Sequence, residues 1–143
     1  MYYSPNTVNE KAREAVVALR AQRAFSSAEE LADILGVEVL RVSSYTEGDY
    51  AHRLLICAYE LDGRSPARML IPSSVSDEGL PLWIAHGLGH HLWACRFPHT
   101  YTFSIRTYQG ETRNAHKEIL ESFARAFASE LLSALSDSPL PTA

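Results

Sequence analysis

Residues 80–95 run Leu80-Pro81-Leu82-Trp83-Ile84-Ala85-His86-Gly87-Leu88-Gly89-His90-His91-Leu92-Trp93-Ala94-Cys95, and no other segment constrains the architecture as much. The stretch is apolar almost all round, the pattern of a central, buried helix rather than a surface one. At about 100° per residue, His86 and His90 stand roughly 40° apart, one turn along a single face. Two imidazoles so placed can reach one metal ion, which is why histidines four apart recur in helical metal motifs. His91 falls about 140° from His86 and Cys95 about 180°, so neither can join that ion from this helix. The plainer alternative is that the pair serves packing or surface roles. Against it, two unpartnered imidazoles in so apolar a helix would be costly to bury.

Downstream, after a connection containing Pro98 and several Tyr and Thr residues, a last helix is expected from about residue 112 or 114 to 135. Phe123, Ala124, Phe127, Ala128, Leu131, Leu132 and Leu135 form its packing stripe, and Glu121 lies on it as a possible third ligand. Upstream, a helix is predicted over 8–23, with Thr7 as cap and Glu10 completing a Thr-x-x-Glu capping box. A second, short helix has Ser27 as cap, Glu30 at the third position and Gly36 as its stop. Residues 37–42, 53–59 and 68–71 read as three strands, with Asp62-Gly63 as the turn of a hairpin between the last two. Helices before and after a small three-stranded sheet make an α+β fold.

Ile84-Ala85-His86-Gly87-Leu88-Gly89-His90-His91-Leu92 resembles the Ala-His-Glu-Leu-Gly-His signature of the ImmA/IrrE-type zinc metallopeptidases. Glu121-Ser122-Phe123-Ala124-Arg125-Ala126-Phe127-Ala128-Ser129-Glu130-Leu131-Leu132 is similar to their second signature, Glu-x-x-Ala-(Asn/Asp)-x-Phe-Ala-x-x-Leu-Leu. The order and spacing of the two fit as well, over roughly residues 26–133. The resemblance implies a single zincin-like domain and zinc held by His86, His90 and Glu121. It also implies a site-specific endopeptidase that inactivates a helix-turn-helix repressor, often in stress responses or mobile elements. Two histidines and one glutamate with an open fourth position also suit a catalytic zinc on general grounds. From the residues alone, Glu121 reads more plainly as a solvated carboxylate paired with Arg125 four residues on.

Two positions depart from the family pattern. Arg125 replaces an Asn or Asp that would support the histidines. Gly87 replaces the catalytic glutamate, the group that takes the proton from the attacking water and passes it to the leaving amine. Losing a general base costs about 10²–10⁴ in rate, or roughly 3–5.5 kcal/mol. Peptidase activity is therefore expected to be weak or absent. Glu118, one turn before Glu121, is a weak candidate to fill the missing role, its plainer reading being a surface charge beside Lys117. Tyr101, Tyr108 and His116 flank the site in sequence and could stabilise an oxyanion, although aromatic packing in the connection is their plainer reading. His52 and His99 carry no usable signal.

The bulk properties agree with this reading. The chain has 143 residues, 46% hydrophobic and 21% charged, consistent with one soluble globular domain over residues 1–135 and a flexible tail at 136–143. A net charge of −4 without basic clusters argues against direct nucleic-acid binding. No apolar run is long enough to span a membrane and the N-terminus lacks the order of a secretory signal. Cys57 and Cys95 make no disulfide framework, so a reducing cytoplasm with buried, inert thiols is expected. Two other functions compete. One is a metal-free, protein-binding regulatory module that uses His86 and His90 for packing. The other is a helix-turn-helix DNA-binding protein with residues 38–46 as recognition helix, where a single basic residue, Arg41, weakens the case.

Overall fold

The computed structural model describes residues 5–42, 55–62, 66–95, 102–108 and 113–137. Helix α1 spans Pro5–Gln22 and buries Val8, Ala12 and Val16, spaced four apart. It starts before the expected cap, so Thr7 lies inside the helix and the Thr7/Glu10 capping box does not form its start. Proline suits a first turn because its fixed φ is already helical and its missing N–H would have no partner there. Helix α2, Ala28–Leu35, follows its sequence signals closely. Ser27 accepts a hydrogen bond from the Glu30 amide at 3.0 Å, and Gly36 ends the helix at φ 73°.

Among the described residues, four strands follow the order β1 (Glu38–Val42), β2 (Leu55–Asp62), β3 (Arg68–Pro72) and β4 (Thr102–Tyr108). They form one mixed sheet in the order β1-β3-β2-β4. β2 and β3 pair antiparallel, as the hairpin reading expected, while β1 runs parallel to β3 with Leu40 opposite Leu70. β4 is the correction to a three-stranded sheet. It pairs antiparallel with β2, Ile105 opposite Tyr59, and occupies what was read as a connection. Because Glu38–Val42 is a strand, a recognition helix does not begin there, which removes the basis of the DNA-binding reading.

Helix α3, Leu80–Cys95, lies against β2 and β3, and α4, Ala115–Asp137, packs on α3 and on α1. Asn114 caps α4 by accepting from the Lys117 amide at 2.8 Å. Ser136 and Asp137 belong to α4 rather than to a tail, and residues 138–143 lie outside the described part. The α3–α4 contact is close enough to dictate a residue type. A Cβ on Gly89 would come within 2.7 Å of Ala124 Cα, a main-chain atom that cannot swing aside. Leu88, Phe127 and Leu131, all fully buried, fill the core around this crossing. The result is a mixed α+β fold, and among the described residues no helix is long and apolar enough to cross a membrane.

Candidate metal centre

The one-turn spacing on α3 and the facing position on α4 bring His86, His90 and Glu121 together, with one donor atom from each within 4.8 Å of the others. His90 Nε2 lies 2.9 Å from Glu121 Oε1, and His86 Nε2 lies 3.4 Å from Oε2. An ion held tetrahedrally by bonds of about 2.0–2.1 Å separates its donors by roughly 3.3 Å, a spacing near these, so the cluster could hold a metal ion. Glu121 is only 2% exposed, which overturns its reading as a solvated carboxylate. Arg125 pairs instead with Glu118.

The protonation states also favour a cation. Burial pushes the Glu121 carboxyl up, but the hydrogen bonds and charges of His86 and His90 override it and hold the group well below the usual carboxylate range. Burial pushes His90 down, outweighing the opposing pull of Glu121, so its imidazole is neutral at physiological pH. An ionised carboxylate beside a neutral imidazole is the state that ligates. Beyond the 2.9 Å approach of His90 Nε2, Glu121 Oε1 meets no other donor, and His90 Nδ1 has no hydrogen-bond partner. Oε1 faces the imidazoles, where an ion would satisfy it. Nδ1 is different: coordination through Nε2 places the ring proton on Nδ1, and no acceptor meets it among the described residues.

Behind the cluster, Tyr59 of β2 is buried and stacks on His90 with ring centroids 6.5 Å apart. Its hydroxyl lies 2.6 Å from His91 Nδ1. Burial, with the Cys95 charge adding to it, pushes that hydroxyl up, so it stays protonated. His91 thus serves the helix–sheet interface and not the metal cluster, as its angular position implied. Cys95 Sγ lies 3.5 Å from His91 Nε2. The expectation of two buried thiols needs correction: Cys57 is half-buried and Cys95, on the last turn of α3, is exposed.

Gly87 points at the sheet. A Cβ there would lie 2.7 Å from Met69 Sδ and 2.8 Å from its Cε. Met69 is itself 1% exposed, and the free space between it, Gly87, His86 and His90 is about 10 Å³. That is about the room of one water, so no side chain fits beside the cluster while Met69 keeps its place. Glu118 does not fill the gap either. It is half-exposed and bound to Arg125 at 3.1 Å and Arg113 at 3.5 Å.

The cluster opens on a cleft of about 310 Å³ whose lining includes Trp83, His86, Thr107, Arg113, Glu121 and Arg125. Thr107 arrives on β4, and Arg113 reaches within 3.5 Å of Glu121 Oε2. Neither was singled out from the sequence. Thr107 depended on the missed strand, and Arg113 carries no local motif. Of the residues flanking the site in sequence, His116 is exposed on α4, while Tyr101, the Tyr108 side chain, His52 and His99 lie outside the described part. A larger depression of about 600 Å³ between α2, β1 and the start of α3 contains none of the cluster residues. The cluster residues His86 and Glu121 line the smaller cleft. Compared with known proteins, the chain matches no family model, no curated protein and no solved structure.

Proposed function

We propose that this chain is a zincin-like domain of the ImmA/IrrE kind that binds zinc through His86, His90 and Glu121 and engages a protein partner with little or no cutting. The observation that carries the reading is the convergence of two imidazoles and one buried, ionised carboxylate at 2.9 and 3.4 Å. Two nitrogens and one oxygen with a side open to a cleft form the donor set of catalytic rather than structural zinc. When bound, zinc supplies Lewis acidity toward a water or carbonyl. Among the described residues no positioned base stands beside the cluster, since Gly87 has no carboxylate and Met69 packs against it. The partner suggested by the resemblance is a helix-turn-helix repressor, bound as protein and without direct nucleic-acid contact.

A metal-free regulatory module is the second reading. It is favoured by the way Glu121 already meets His86, His90 and Arg113 without an ion. Zinc content per chain, measured in untagged protein beside His86→Ala, separates the two. About one zinc per chain, lost in the variant, supports the metal reading. No zinc after reconstitution near neutral pH, where imidazoles are free to ligate, refutes it.

A further inference from the structure

We infer that the outer edge of β1 docks an extended, basic segment of a partner protein, added to the sheet as a further strand. The inference is independent of the metal reading. In the sheet order β1-β3-β2-β4, β1 has β3 on one side and, among the described residues, no strand on the other. The Glu38 amide donates to the Ala67 carbonyl at 2.8 Å, and the Val42 carbonyl accepts from the Ser73 amide at 2.7 Å. Main-chain groups of successive strand residues turn to alternate sides, so the amides and carbonyls of Val39 and Arg41 point away from β3. Among the described residues these outward groups meet no hydrogen-bond partner.

Proteins normally blunt such an edge with a proline, a bulge or a charged side chain laid along it. β1 has no proline and no bulge, its five residues pairing with β3 in unbroken register. Arg41 does not guard the edge, because its guanidinium turns to the Ser73 and Val75 carbonyls at 3.1 and 2.6 Å. Leu40 is left 37% exposed. Beside this edge lies the depression of about 600 Å³, whose lining includes Leu80 and Ile84. Val39 packs on the core, so side chains of an added strand that share its face enter that depression.

Charge decides the occupant. Glu29 and Asp33, one turn apart on α2, and Glu38 on β1 all line the depression and are exposed. Among the described residues none of the three carboxylates has an ion-pair partner. A second copy of this chain would set these carboxylates against their own kind, in a protein of net charge −4. A strand bearing lysine or arginine neutralises them instead.

The probe is a fluorescein-labelled hexapeptide of alternating lysine and valine, its binding to the full chain read by fluorescence polarisation. Wild type is expected to bind it, more weakly as salt rises, and to bind the glutamate–valine counterpart about tenfold less well or worse. Glu29→Gln with Asp33→Asn should weaken binding about threefold to tenfold, with the melting temperature unchanged because both side chains are exposed. Val39→Pro removes an outward amide and no bond to β3, and should cost about tenfold. Should that variant melt early, two peptides N-methylated at alternate amides replace it. Pairing as a strand predicts that one pattern of methylation abolishes binding and the other spares it. No binding of the lysine peptide overturns the inference, as does equal binding of the two methylated peptides. Loss of binding in His86→Ala would move the peptide to the cluster cleft and overturn it too. A wild-type dimer that Val39→Pro dissociates would give the edge to a second copy, with the same consequence.

Discussion

Placing a glutamate at position 87 asks whether the proposed site can be made to cut, and the packing of Met69 sets what that substitution meets. Glutamate in a helix interior is better than glycine by up to about 1 kcal/mol. Against that gain, the new Cβ would lie 2.7 Å from Met69 Sδ, the movable end of a buried side chain with only about 10 Å³ free nearby, so Met69 must shift. Overpacking of this kind costs about 1–3 kcal/mol, and a carboxylate forced against a thioether without partners adds to it. Met69→Ala alone should cost about 2–5 kcal/mol as a cavity in a residue that is 1% exposed. Together the two changes exchange one side chain for another in the same space, so a favourable coupling of about 0.5–3 kcal/mol is expected. Urea unfolding of the four proteins measures the coupling, and zinc content confirms that the cluster survives. Peptide hydrolysis should rise by about 10²–10⁴ in the double variant and not in Gly87→Glu alone. Additivity within about 0.3–0.5 kcal/mol, or a Gly87→Glu protein as stable as wild type, would show that Met69 does not obstruct a side chain at position 87.

Gly89→Ala should destabilise more than Gly87→Ala, by about 1–3 kcal/mol in thermal melts, because its methyl meets Ala124 Cα rather than a flexible side-chain end. Tyr59→Phe strips the 2.6 Å contact from buried His91 and should cost about 1–3 kcal/mol, with zinc content unaffected since His91 is not a ligand. Acid should destabilise the metal-free chain in two stages, read as melting temperature against pH. His90 is held below 6.5, so the unfolded chain takes up its proton first and stability falls as pH drops below about 6.5. Glu121 is held below 4.5, so its contribution is complete above that value and is lost as pH falls further. Glu121→Gln should remove the lower stage, and an unchanged profile in that variant would refute the assignment.

Much of the architecture was readable because it depends on local chemistry. The ends of α2 follow from Ser27 and Gly36, and the facing of His86 and His90 follows from helical arithmetic. Glu121 needed more: its own neighbourhood suggested pairing with Arg125, and only the crossing of α3 and α4 turns it inward. β4 was legible in principle, since Phe103, Ile105 and Thr107 alternate with Thr102, Ser104 and Arg106, but Pro98 and the polar residues suggested a connection. Met69 had no signal at all. Its place opposite Gly87 arises from how β3 lies under α3, a long-range relation that no local pattern encodes.

The main-chain contact between Gly89 and Ala124 also bears on how selective a chelate this cluster makes. Gly89 precedes His90, and Ala124 lies one turn past Glu121, so the bite that the cluster would offer an ion is gauged where two backbones pass close together. A flexible chelate adapts its bite to whatever ion arrives and discriminates poorly. Here the span between imidazole and carboxylate is built into the frame before any ion is present, and an ion of the wrong size would have to pry the helices apart. Affinity and discrimination then rise and fall together with the tightness of that one crossing.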